Sequence, residues 1–131
     1  MKKDESIHEL VLNITNDMNY VPEMNQELFD KVIDDALRSE YSLENVWRIA
    51  FNYDSIGLNY DMIDNIFIEA GDAYYLSEYI SAVHQVNYDK IVKMLIEKND
   101  KEFIKDFLFK YTDFSGLDRK YVDKLREFVN K

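Results

Sequence analysis

The second half of this 131-residue sequence contains the same helix-boundary pattern twice, 28 residues apart. In residues 71–79 and 99–107, a residue that tolerates left-handed backbone precedes Asp. After this Asp come two further residues and then five positions that are aromatic, aliphatic, variable, acidic and aromatic in that order. Gly or Asn commonly ends a helix, and Asp commonly caps the next by accepting hydrogen bonds from its first turn. The pattern therefore predicts that a helix ends and another begins at each point, with N-caps at Asp72 and Asp100.

Weaker internal similarities extend this pattern over more of the chain. Within the matching segments apolar residues fall at helical spacing, as Ile63, Ile66 and Phe67 do. Asn59 and Asn87 occupy equivalent positions and are predicted to cap further helices. A period that drifts between 28 and 34 residues is typical of helical-hairpin repeats. The matches are residues 59–63 with 87–91, 90–97 with 120–127, and 28–33 with 62–67.

The sequence has little turn punctuation, with three Gly and one Pro, and this disfavours a β-sandwich or barrel. We predict an all-α fold of about eight short helices in four antiparallel hairpins, arranged as a small stacked repeat or as an irregular bundle. In the first hairpin, helices are expected near 5–18 and 23–38, with Pro22 at the start of the second. A single domain, 1–131, is predicted, with hairpins near 5–38, 42–70, 72–98 and 100–129.

The segment Gly71-Asp72-Ala73-Tyr74-Tyr75-Leu76 resembles a unit of the short α-solenoid repeats found in low-GC bacteria and phages. This class includes the ankyrin, HEAT and tetratricopeptide arrays. The resemblance is to the class alone, since the Thr-Pro-Leu-His run of ankyrin repeats is absent. It implies stacked hairpins that present a long face to an extended partner.

Negative charge is concentrated in the first half of the sequence. The formal charge is −10, yet residues 71–131 contain eleven basic and eleven acidic residues, whereas residues 1–70 contain five and fifteen. Phosphates would be repelled, so direct nucleic-acid binding is not expected. The predicted second helix carries a stripe of four acids at i, i+4, i+7 and i+11, namely Glu23, Glu27, Asp30 and Asp34. They form either a solvated face that aids solubility or a docking surface for a basic partner.

Several tyrosines and acids are candidates for the same partner surface. Tyr74 is expected to point outward because its neighbour Tyr75 keeps register with Tyr79. Exposed Tyr is favoured at protein interfaces, although core packing is the alternative for each Tyr taken singly. Trp47 is predicted to lie in the core. The predicted partner-binding residues are Glu23, Glu27, Asp30, Asp34, Tyr53, Tyr60, Asp61, Asp64 and Tyr74.

Catalytic patterns are scarce. The absence of Cys excludes disulfides, thiolate metal sites and cysteine nucleophiles. Glu5 and His8 have the spacing of half a di-iron site, but His84 has Ser81 where the second Glu would be needed. No zincin, phosphate-loop or nucleophile-elbow motif occurs. We therefore predict that the chain is not an enzyme and takes no metal or cofactor. The alternative is an enzyme or ligand-binding domain that uses two of the 26 carboxylates as an acid–base pair.

The N-terminal segment does not have the pattern of a signal peptide. Lys2 and Lys3 are followed by acids and not by an apolar stretch, and no apolar window is long enough to cross a membrane. The lack of Cys fits a reducing compartment. A cytoplasmic protein without membrane contact is expected.

Together these features favour a non-enzymatic protein–protein interaction module whose acidic half binds a basic protein, such as one that itself binds nucleic acid. The excess of Lys over Arg and the many Asn, Ile and Tyr are typical of AT-rich genomes, including those of phages. One concrete form is an inhibitor from a phage or mobile element that occupies the nucleic-acid groove of a host defence nuclease, as anti-CRISPR proteins do. The alternative is a structural or regulatory subunit that acts through self-association or within a larger assembly.

Overall fold

The structure, a computed structural model, describes residues 6–17, 19–111 and 117–131. Every regular element in these residues is helical, which confirms the all-α prediction. A short 3₁₀ turn, Asp54–Ile56, follows α3. The eight α-helices of the described ranges are α1 (Ile7–Asn16), α2 (Gln26–Leu37), α3 (Ser42–Asn52), α4 (Asp61–Glu69), α5 (Ala73–Ala82), α6 (Tyr88–Lys98), α7 (Lys101–Tyr111) and α8 (Arg119–Val129).

The predicted helix boundaries in the second half are confirmed by their hydrogen bonds. The Asp72 side chain accepts from the backbone N–H of Tyr75 at 3.1 Å. Asn87 accepts from Lys90 at 3.1 Å, and Asp100 accepts from Phe103 at 3.0 Å. Gly71 (φ +68°) and Asn99 (φ +58°) have the expected left-handed backbone. At α4, which begins at Asp61, the predicted cap Asn59 lies two residues ahead of the helix and accepts from the N–H of Asp61 at 2.8 Å, and not from a residue three positions later.

The chain divides into two compact units, Met1–Ile63 and Asp64–Lys131, and the division falls within α4. In the first unit α2 packs on both α1 and α3, and α1 also contacts α3. Leu10, Phe29 and Ile49, one from each helix, are fully buried. This is a three-helix cluster, and the single-domain assignment stays a prediction.

In the second unit the contacts follow the repeats in the sequence. Helix α5 packs against α7, α6 packs against α8, and α7 packs against α8. The first two pairs are those that the 28- and 30-residue similarities relate. The helices that these similarities relate therefore lie side by side.

The start of α2 differs from the prediction. The helix begins at Gln26 and not near residue 23, and its N-cap is Asn25, whose side chain accepts from the N–H of Leu28 at 2.8 Å. Pro22 precedes the helix, and its carbonyl accepts a hydrogen bond from the Tyr53 hydroxyl at 2.7 Å. An Asn side chain satisfies a first-turn N–H, which Pro cannot do, and this favours Asn25 as the boundary.

Trp47 also differs from the prediction because it is half-buried and not in the core. It lies beside the buried stripe of α3, which is formed by Val46, Ile49 and Ala50. Its ring stacks on that of Phe51 at a centroid distance of 5.7 Å. The two aromatic rings therefore cover one flank of α3.

Candidate functional site

The solvent side of α2 carries three exposed carboxylates, Glu27, Asp30 and Asp34. At 100° per residue they fall within an arc of about 60°. The opposite side of the helix is buried and holds Phe29, Val32, Ile33 and Ala36. Apolar packing thus fixes which way the helix faces, and the carboxylates form a continuous surface that we call the α2 acidic surface.

Glu23 was predicted to continue this stripe, but it lies outside the helix. Residues 20–25 are not helical, so the i, i+4 relation between Glu23 and Glu27 does not hold. Glu23 is exposed and, among the described residues, has neither an ion pair nor a hydrogen bond through its carboxylate. It is therefore a separate acidic position beside the α2 acidic surface.

Each carboxylate of the α2 acidic surface has a local partner. Glu27 pairs with Lys31 at 3.4 Å and Asp34 pairs with Arg38 at 2.8 Å. Asp30 accepts from the Gln26 side-chain amide at 2.8 Å. Lys31 and Arg38 therefore both partly neutralise this surface. Exposed i, i+4 pairs contribute only about 0.3–0.5 kcal/mol, so an incoming cation can replace them.

Long-range hydrogen bonds fix the chain around the start of α2. The Gln26 side chain donates to the Asn59 carbonyl at 3.0 Å and accepts from the Asn59 N–H at 2.7 Å. The Tyr53 hydroxyl holds the Pro22 carbonyl. Burial, and secondarily the nearby Tyr20, raises the pKa of Tyr53 to about 12, so its hydroxyl remains a donor at neutral pH.

Three of the predicted partner-binding residues are buried, and their expected exposure was wrong. Tyr53 is 2% exposed, Tyr60 is 3% exposed and Asp64 is 1% exposed. The Tyr60 hydroxyl donates to the Ala50 carbonyl at 2.6 Å, and burial, followed by the charge of Asp54, raises the pKa of Tyr60. For both tyrosines, core packing is what the structure shows.

Asp64 belongs to a buried polar cluster of the second unit. Its Oδ1 accepts from the Tyr79 hydroxyl at 2.6 Å, and its Oδ2 lies 4.0 Å from the Nζ of Lys90. The Tyr79 ring also stacks on Phe67 at 4.5 Å. Asp64 therefore connects α4, α5 and α6 and does not face a partner. Asp61, in the first unit, and Tyr74, in the second, are exposed as expected.

An open cleft beside α2 was not found from the sequence. Glu23, Met24, Asn25 and Leu28 line it, and its volume is about 270 Å³. Met24 and Leu28 are half-buried, whereas Glu23 is exposed. One sequence feature could have indicated this cleft. Asn25 is a preferred N-cap residue, and a helix that starts after it leaves residues 23–24 outside the helix.

The described ranges contain no group of three His, Asp or Glu side chains arranged to hold a metal ion. His8 is exposed, and its Nδ1 lies 3.1 Å from Oδ2 of Asp35. His84 is exposed in the loop between α5 and α6. Glu5 of the Glu-x-x-His spacing lies outside the described residues.

No protein-family model matches the chain, and neither a curated protein nor a solved structure does so. Among the helices in the described residues, each is too short or too polar to cross a bilayer.

Proposed function

We propose that the chain is a non-enzymatic interaction module whose α2 acidic surface binds a basic protein. The supporting observation is the set of three exposed carboxylates, Glu27, Asp30 and Asp34, on a helix whose opposite side is buried. Like charges at helical spacing disfavour a helix by a few tenths of a kcal/mol per pair. The weak ion pairs to Lys31 and Arg38 do little more than offset that cost, so folding alone does not account for the acids.

The distribution of charge between the units supports the same proposal. Residues 1–63 contain five basic and thirteen acidic residues, whereas residues 64–131 contain eleven and thirteen. A basic partner would therefore be attracted chiefly to the first unit. Such long-range attraction raises the rate of association and weakens with added salt.

The partner class that we propose is a protein that binds nucleic acid through a basic groove. Residues three or four apart on one helix face have Cβ atoms about 5–6 Å apart, so acids at these positions form a closely spaced row of negative charge, as successive phosphates do along a strand. A helix of this kind can occupy a groove built for a strand. The concrete form is an inhibitor from a phage or mobile element that acts on an RNA-guided defence nuclease.

The test is displacement of a fluorescent guide RNA from purified RNA-guided nucleases, followed by anisotropy. We expect the wild-type protein to displace the RNA from a susceptible nuclease. The variant Glu27→Lys, Asp30→Lys, Asp34→Lys is expected to lose this activity by at least tenfold. The matched control reverses three exposed acids of the second unit: Glu97→Lys, Glu102→Lys and Glu127→Lys.

Because the two variants change the net charge equally, they separate a local surface from overall charge. Circular dichroism of both variants establishes that each is folded. If the two reversals weaken displacement equally, or neither does, the α2 acidic surface is not the binding site. If the wild-type protein displaces guide RNA from none of the RNA-guided nucleases tested, the proposed partner class is wrong.

The second candidate is a subunit that acts through self-association, and exposed aromatic side chains favour it. Phe109 on α7 is 89% exposed and Tyr41, which precedes α3, is 66% exposed. Covering such a ring with a second copy of the chain would remove apolar surface from water, which is favourable. Light scattering tests this candidate: a mass that stays at 15.7 kDa at all concentrations contradicts it.

A further inference from the structure

The cleft beside α2 places two apolar side chains next to a carboxylate that pairs with no cation among the described residues. Met24 and Leu28 are half-buried and supply the apolar surface. Glu23 lies at the edge and, among the described residues, has no cationic partner, unlike Glu27 and Asp34. The volume of about 270 Å³ is near the lower limit for ligand pockets, so the cleft suits one side chain better than a larger ligand.

The backbone on either side of the cleft is held in place by contacts to distant residues. Pro22 immediately precedes Glu23, and its carbonyl accepts a hydrogen bond from the Tyr53 hydroxyl at 2.7 Å. Asn25 caps α2 at Leu28, and Gln26 exchanges two hydrogen bonds with Asn59. The cleft is therefore formed before any partner arrives. Binding there avoids much of the entropic cost of ordering a loop.

We propose that this cleft binds one arginine side chain of the basic partner. This inference rests on the proposed function and names the chemical group that the site recognises. The arginine methylene groups would pack along Met24 and Leu28, and the guanidinium would form paired hydrogen bonds with the Glu23 carboxylate. The helix dipole opposes a cation at the start of α2, and the negative charge of Glu23 offsets it.

Arginine fits this site better than lysine for two reasons. Its planar guanidinium matches a carboxylate through two parallel N–H···O bonds, whereas an ammonium is a point charge. The guanidinium is also more weakly hydrated, so contact with the Met24 and Leu28 side chains costs it less desolvation. Selectivity for arginine over lysine is therefore a property of the cleft, and general electrostatic attraction to the α2 acidic surface does not provide it.

The experiment is a ¹⁵N NMR titration of the intact protein with an acetylated, amidated tetra-arginine peptide and with its tetra-lysine counterpart. We expect the largest amide shifts at Met24 and Leu28, and tighter binding of the arginine peptide. Glu23→Gln should weaken that binding about five-fold, as expected for losing a well-formed exposed ion pair. The matched control, Glu40→Gln, removes an exposed acid of the same unit and should change binding less than two-fold.

Equal effects of Glu23→Gln and Glu40→Gln, or equal binding of the two peptides, would overturn the arginine site. The guide-RNA displacement assay separates this outcome from failure of the proposed function. If reversal of the α2 acids abolishes displacement while Glu23→Gln behaves as wild type in both assays, the function stands and the arginine site falls. If the peptide binds selectively at the cleft but no nuclease is displaced from its RNA, the arginine site stands and the proposed partner class falls.

Discussion

Removing the hydroxyl of Tyr79 tests whether the buried Asp64 cluster stabilises the second unit. Tyr79 is fully buried, and its hydroxyl donates to Asp64 Oδ1 at 2.6 Å. Tyr79→Phe keeps the ring, including its stacking on Phe67 at 4.5 Å, and removes the hydroxyl that donates to Asp64. Removing the donor from a buried acceptor costs about 1–3 kcal/mol. Because Asp64 is 1% exposed, water cannot readily replace the lost donor. We expect a loss of about 2 kcal/mol in the free energy of unfolding.

The assay is urea unfolding followed by circular dichroism at 222 nm. With a slope of about 2 kcal/mol per molar urea, the midpoint of the affected transition should fall by about 1 M. The matched control is Tyr74→Phe on the same helix. Tyr74 is 50% exposed, and its hydroxyl makes no hydrogen bond with the described residues. This control should change stability by no more than about 0.5 kcal/mol.

Equal unfolding free energies for Tyr79→Phe and Tyr74→Phe would refute this reasoning. That result would mean that the Asp64–Tyr79 bond adds nothing beyond ring packing. A loss in Tyr79→Phe that appears only in the slope, with the midpoint unchanged, would also contradict it, because the slope reports exposed surface and not the strength of a bond.

Three further predictions concern local structure. Tyr53 has a pKa of about 12 in the folded chain, above its ordinary value of 10, so its contribution to stability is complete below pH 10 and is lost as the pH rises to 12. Urea unfolding across this range should show a smaller decline in Tyr53→Phe, and an equal decline would contradict the assignment. Asn87→Ala should cost about 1 kcal/mol by removing the cap of α6, and a loss below 0.3 kcal/mol in urea unfolding would contradict it. Gly71→Ala should cost about 1 kcal/mol although no atom lies within 4 Å of the added Cβ, because φ is +68°. Unchanged thermal stability would show that this backbone conformation is not retained.

Helix boundaries in the second unit could be predicted because their determinants are local. Asp72, Asn87 and Asp100 each accept a hydrogen bond from a residue three positions later, so a short stretch of sequence contains both partners. The left-handed residues Gly71 and Asn99 are also set by residue type. At α2 a local signal gave the wrong boundary, because Pro22 also favours a helix start. A favourable local residue was present, but Asn25 satisfied the helix start better.

Burial of the tyrosines could not be predicted because it depends on distant partners. Tyr53 bonds to Pro22, 31 residues away, and Tyr79 bonds to Asp64, 15 residues away. A Tyr places its ring in the core when a carbonyl or carboxylate lies within reach of the hydroxyl, and only the folded chain supplies that acceptor. The cleft beside α2 had a local signal in Asn25, which marks the helix start. The Gln26–Asn59 hydrogen bonds that hold this segment in place join residues 33 positions apart and had no such signal.

The salt dependence of the association rate tests the central claim most directly, namely that the α2 acidic surface draws in a basic partner. The rate is measured by stopped flow with a nuclease that scores in the displacement assay. The rate should fall steeply as the salt concentration rises from about 20 to about 500 mM, a range over which screening of charges changes from weak to strong. This holds for the wild type and for the variant in which Glu97, Glu102 and Glu127 are reversed. For the Glu27, Asp30 and Asp34 reversal, the rate should be slower at low salt and should no longer decline. Identical salt dependence in the two reversal variants would contradict the claim.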